Sequence, residues 1–117
     1  MTKHESLPYL EHIIDAVNDI ESFTKGLTKS KFLKNKLRQS AVIRQLEIIG
    51  EASKNLPENF REKYSEVEWK KIAGTRDKII HHYFGIDLNT VWDILKNDLS
   101  DLKRKILEIL KAEPKEE

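Results

Sequence analysis

WKKIAGTRDKIIHHYFGID, residues Trp69 to Asp87, sets an arginine in step with apolar residues that a helix would bury. Trp69, Ile72, Ala73, Ile79, Ile80 and Tyr83 follow three-and-four spacing, and Arg76 falls on the same stripe. An unpaired guanidinium on a core face is costly, so something anionic must meet it. That partner is either a carboxylate of this chain, with Glu47 and Glu51 as candidates, or the phosphate of a ligand. His81 lies five positions on and Tyr83 two further. A permanent cation, a side chain that titrates near neutral pH and a phenol thus fall within about two helical turns.

The helical pattern extends in both directions. Ser6 is a candidate cap for a first helix reaching Phe23 or Thr24, with Leu10, Ile13, Ile14, Val17 and Ile20 as its buried stripe. Gly26 ends it. Thr28 or Ser30 opens a second helix that runs to Lys54 or Asn55 and carries Phe32, Leu33, Leu37, Ala41, Leu46, Ile48, Ile49 and Ala52. Pro57 stops it, and Glu58 to Tyr64 reads as a short helix or turn. The motif helix opens at Ser65 or Glu66 and reaches Tyr83. Gly85 breaks it, and Asp87 or Asn89 caps a last helix whose apolar stripe runs from Val91 to Leu110. Strand alternation and Asn-Gly or Asp-Gly hairpin turns are missing. The expectation is an all-α fold, an antiparallel four-helix up-down bundle with a short extra helix, in one domain over 1–112 with a disordered tail at 113–117.

Composition narrows the chemistry. The 117 residues contain no cysteine, which excludes a disulfide framework and thiolate catalysis. No signal-peptide pattern and no membrane-length apolar run is present, so a cytoplasmic protein is expected. The net charge of +1 predicts no nucleic-acid partner by itself. Between Glu21 and Glu47, however, Lys25, Lys29, Lys31, Lys34, Lys36, Arg38 and Arg44 meet no acid. This run is either a solvated face or a phosphate-attracting patch. HExxH spacing, a GxSxG elbow and phosphate-loop glycines are all lacking, so no metal or cofactor is expected.

Within one helix Arg76 and His81 stand roughly 140° apart, while Asp77 and His81 align four apart. Two copies facing each other across a symmetry axis would make a better site than one. His82 occupies the variable position of the motif and is an accessory at best.

Taken with IIGEASKNLP at Ile48 to Pro57, the stretch IAGTRDKIIHHYFGIDLNTVW resembles the HepT-like branch of the HEPN superfamily over nearly the whole chain. The most specific part is arginine, four residues, histidine, one residue, tyrosine, here Arg76, His81 and Tyr83. The resemblance implies a homodimeric helical bundle whose shared cleft acts as a metal-independent endoribonuclease toxin on RNA. It implies Arg76 and His81 as catalytic residues, with Asp77 and Tyr83 in support. It further implies a minimal nucleotidyltransferase antitoxin that silences the nuclease by transferring AMP to Tyr83. The alternatives are a non-catalytic helical module that binds a nucleotidyltransferase, a nucleotide or RNA, and a purely structural Arg76 held in a core ion pair.

Overall fold

The computed structural model describes residues 3–81 and 85–113, with side chains for 6–79 and 85–113. The described chain is all-helical apart from one two-residue strand pair. α1 (Lys3–Thr24) buries Leu10, Ile13, Ala16, Val17 and Ile20, each at most 1% exposed, against α3 (Lys36–Asn55) and α8 (Leu99–Ala112). The helix begins upstream of Ser6, so Ser6 does not cap it. The Ser6 side chain lies buried within α1 instead. Gly26, at φ +76°, takes the left-handed turn that ends this segment.

The expected second helix is two. α2 (Lys29–Leu33) is capped by the Thr28 hydroxyl, which accepts from the Lys31 N–H at 3.2 Å. Asn35 then interrupts the helix, because its side-chain oxygen accepts from the Arg38 N–H at 3.0 Å and starts α3 afresh. The break resets the helical phase. Phe32 stays fully buried, whereas Leu33 and Leu37, expected in the core, are 37% and 80% exposed. The Arg38 guanidinium donates to the Phe23 carbonyl at 2.6 Å and fastens the start of α3 to the end of α1.

After Leu56 and Pro57 come α4 (Glu58–Lys63), α5 (Trp69–Ala73) and α6 (Thr75–Ile79). The motif helix expected from Ser65 or Glu66 to Tyr83 is therefore broken twice. Gly74 closes α5 as its C-cap, and the chain becomes extended at Ile80. β1 (Ile80–His81) pairs antiparallel with β2 (Gly85–Ile86), in the register Ile80 to Ile86 and His81 to Gly85. Gly85, at φ +82°, supplies the conformation that a side chain resists. The Asp87 N–H donates to the Ile79 carbonyl at 2.7 Å and closes the turn-back.

Asp87 also caps α7 (Leu88–Asn97), its carboxylate accepting from the Thr90 N–H at 3.1 Å and from the Thr90 hydroxyl at 2.7 Å. The expected single last helix kinks at Asp98, which stays near helical geometry at φ −109°, ψ −34°, and α8 continues beyond it. Trp92 of α7 stacks on Phe32 of α2 with ring centroids 5.3 Å apart.

The folded body extends one residue past the expected boundary. Glu113 is 4% exposed, not part of a loose tail. Its carboxylate receives the Lys63 ammonium at 2.9 Å and the Tyr64 hydroxyl, which ties the end of α8 to α4. Residues 114–117 lie outside the described residues. Among the described residues no helix is long and apolar enough to cross a membrane.

Two consequences are measurable. A Cβ built on Gly50 of α3 would stand 3.3 Å from the Ile72 carbonyl and 3.6 Å from that of Ala73, so α5 rests directly on the α3 backbone. Gly50→Val is expected to cost about 1–3 kcal/mol in urea denaturation, because the added bulk forces these helices apart. Burial, then the bond to Glu113, raise the Tyr64 phenol above its ordinary 10.0. The folded chain thus holds this proton more tightly than the unfolded one. The resulting stability is complete below about pH 10 and disappears as pH climbs through the raised value. Melting temperatures taken between pH 8 and 11 should fall less steeply for Tyr64→Phe than for the unaltered chain.

Candidate functional site

α6 carries Arg76 and Asp77 out to the surface. The Arg76 side chain is 66% exposed, not buried on a core stripe as the uninterrupted periodicity implied. α5 ends at Gly74 and the short α6 follows, in which Ile79 is fully buried while Arg76 reaches outward to a carboxylate on α3. The partner is one of the two carboxylates named from the sequence. Arg76 Nε donates to Glu47 Oε2 of α3 at 3.1 Å. Glu51, one turn further along α3, makes no bond to Arg76 among the described residues.

This pairing geometry matters chemically. Glu47 engages the guanidinium through Nε, and no other described side chain bonds to it. The two terminal nitrogens remain available for a planar, two-oxygen anion such as a phosphodiester. Glu47 thereby fixes the direction of the fork without consuming it.

His81 is the second residue of β1, its backbone opposite Gly85. Its side chain, and all of His82 and Tyr83, lie outside the described residues. Because α6 stops at Ile79, the four-residue helical alignment of Asp77 with His81 does not hold. The same break ends the helical stripe that set Arg76 in step with Tyr83 in the sequence. What the fold does provide is an arginine on a helix and a histidine on the strand directly after it, five residues along the chain.

Arg76 and Asp77 line a groove of about 590 Å³. α3 contributes Arg44, Glu47, Glu51 and Lys54, spaced three, four and three apart along one face. Tyr9 and His12 of α1 form the opposite wall, their rings edge to face with centroids 6.5 Å apart. The sequence did not single out Tyr9, His12 or Lys54 for this place. The only signal was the helical spacing of Arg44 to Lys54, which does not say which helix faces it. A smaller cavity of about 180 Å³ lies among Leu46, Ile49, Ile72, Ile94 and Leu102, under a rim of Lys71, Lys78 and Lys105. Neither Arg76 nor Asp77 reaches it, so the groove is the candidate site. Among the described residues no group of histidine and carboxylate side chains is placed to hold a metal ion.

Comparison with known proteins identifies the family. Residues 13–109 match the family described as "Ribonuclease HepT-like". The chain is 49% identical to a Methanocaldococcus jannaschii protein named "Putative RNase", over 95% of this chain and 92% of that one. It is 45% identical to the "Probable ribonuclease HepT" of Thermococcus cleftensis, over 93% and 99% of the two chains. A third relative, from Methanocaldococcus jannaschii, is named "Gamma-glutamylcyclotransferase and putative RNase". It is 49% identical over 87% of this chain, which spans only 46% of that longer protein. No solved structure matches significantly. The chain belongs to the HepT-like ribonuclease family.

The exposure of Arg76 decides one reading at once. An exposed ion pair is worth about 0.2–1 kcal/mol, whereas removing one partner of a buried pair costs about 3–5 kcal/mol because the other charge is stranded. Arg76→Ala should therefore lower unfolding stability by less than about 1 kcal/mol in urea titration. A loss of several kcal/mol would restore the core ion-pair reading, which the exposed position of Arg76 contradicts.

Proposed function

We propose that this chain is a metal-independent endoribonuclease, the toxin of a toxin–antitoxin pair, working as a homodimer with Arg76 and His81 as its catalytic residues. The observation that carries the reading is the exposed Arg76 guanidinium at a groove, bonded through Nε to Glu47 and, among the described residues, to no other side chain. Family membership and the RNase names of the relatives support RNA as the substrate.

The reaction uses the substrate's own nucleophile. A His81 imidazole takes the proton of a ribose 2′-hydroxyl, and the 2′-oxygen forms a bond to the adjacent phosphorus. The bond from phosphorus to the 5′-oxygen breaks, and that oxygen takes a proton from a second imidazole, the partner subunit's His81. The products are a 2′,3′-cyclic phosphate and a 5′-hydroxyl. Histidine suits both proton transfers because its ordinary pKa lies near neutrality. Arg76 meets the charge that builds on the phosphorane oxygens. Asp77, on the exposed face of α6, adds a carboxylate to the groove that Arg76 lines, without the helical alignment first expected. The antitoxin is a minimal nucleotidyltransferase. Transfer of AMP to Tyr83 adds bulk and negative charge to the catalytic motif, and an anionic substrate is then excluded.

The test is cleavage of single-stranded RNA in the presence of a chelator, with end-group analysis of the products. Arg76→Ala and His81→Ala are each expected to slow cutting by at least about a hundredfold while the dimer persists in size-exclusion chromatography. RNA that is bound but left intact by the unaltered chain would favour the non-catalytic binding module. Cutting at full rate by both variants would place the chemistry elsewhere.

A further inference from the structure

We infer that the Tyr9 and His12 rings, across the groove from Arg76, form a stacking subsite for one base of a single-stranded RNA. This deepens the proposed function and rests on it, since it names where the substrate lies beside the catalytic residues.

The argument starts from charge. The described groove walls carry three cations, Arg44, Lys54 and Arg76, and three carboxylates, Glu47, Glu51 and Asp77. Near-neutral walls give little of the counterion release that drives binding to phosphates alone. Duplex nucleic acid, which offers chiefly phosphates to such a surface, gains little here. A single strand offers its bases as well, and the groove holds two rings to receive them. Tyr9 is half-buried with its ring packed against the core, and His12 is exposed beside it. A ring fixed by packing and open on one side is what base stacking requires, and it accepts any base because each has a π-face. Arg44 and Lys54 lie on the same face of α3 at the two ends of the stripe, ten residues or about 15 Å apart. They are placed to meet backbone phosphates on either side of a stacked nucleotide.

The experiment measures binding separately from cleavage. A fluorescent single-stranded oligoribonucleotide with 2′-O-methyl groups lacks the nucleophile and stays intact, so its anisotropy reports binding alone. Tyr9→Ala is expected to weaken binding about tenfold, the effect of one lost base stack. Tyr9→Phe should stay within about twofold of the unaltered chain, since the ring remains. An abasic oligomer with the same phosphates should bind weakly to both forms, with no further loss in Tyr9→Ala. Equal affinity of Tyr9→Ala and the unaltered chain for the base-bearing oligomer would overturn the inference. So would an equal loss on the abasic oligomer, which marks general damage to the fold. A chain that stacks the modified RNA as described but leaves ordinary RNA uncut would refute the ribonuclease reading and keep the subsite.

Discussion

α3 and α5 pack closely at Gly50, and the positions of Arg76 and Asp77 follow from that contact. A side chain at residue 50 would meet the carbonyls of Ile72 and Ala73, so only glycine lets α5 settle this close. With α5 seated, Gly74 ends it and α6 sets out in a new direction across α3. Arg76 then comes within reach of Glu47, which sits on the α3 turn just before Gly50. One absent Cβ thus joins the packing of the core to the aim of a surface cation. The energy of the Arg76–Glu47 pair is small, because both partners are solvated. Its value lies in direction, since a guanidinium held through Nε presents its other two nitrogens outward.

Much of the fold was legible in the sequence because amphipathic helices announce their buried faces. The α1 stripe, the stop at Pro57 and the Asp87 cap all follow from residue type and spacing, whereas the helix expected to run up to Gly85 already ends at Ile79. The breaks were not legible. Asn35, Gly74 and Asp98 are single residues inside long helical periodicities, and the apolar pattern on either side reads through them. The extended residue Asn35 changes the helical phase, which is why Leu37 emerges into solvent. Across Asp98 the stripe carries on, with Ile94, Leu99, Leu102 and Ile106 all buried, and Arg76 is exposed although Ile79 beside it on α6 is buried.

The candidate site divides in the same way. Glu47 was named as a partner because an arginine needs an anion and a facing helix supplies one, though burial was wrongly attached to the pair. The Asp77–His81 alignment failed because it assumed one continuous helix. Tyr9 and His12 of α1 meet Lys54 of α3 at the groove through tertiary packing that spacing within a segment does not encode. The motif residues themselves stood out through resemblance to a family, whose membership the comparisons establish.

Glu113 gives the carboxyl end of α8 an unusual character. A helix end normally frays independently, since its last carbonyls lack partners. Here the last turn is anchored by a buried carboxylate that Lys63 and Tyr64 of another segment hold. Opening that turn strips the partners from both sides at once. Amide hydrogens near the ends of α4 and α8 should therefore exchange as one cooperative unit, although about fifty residues of chain separate them.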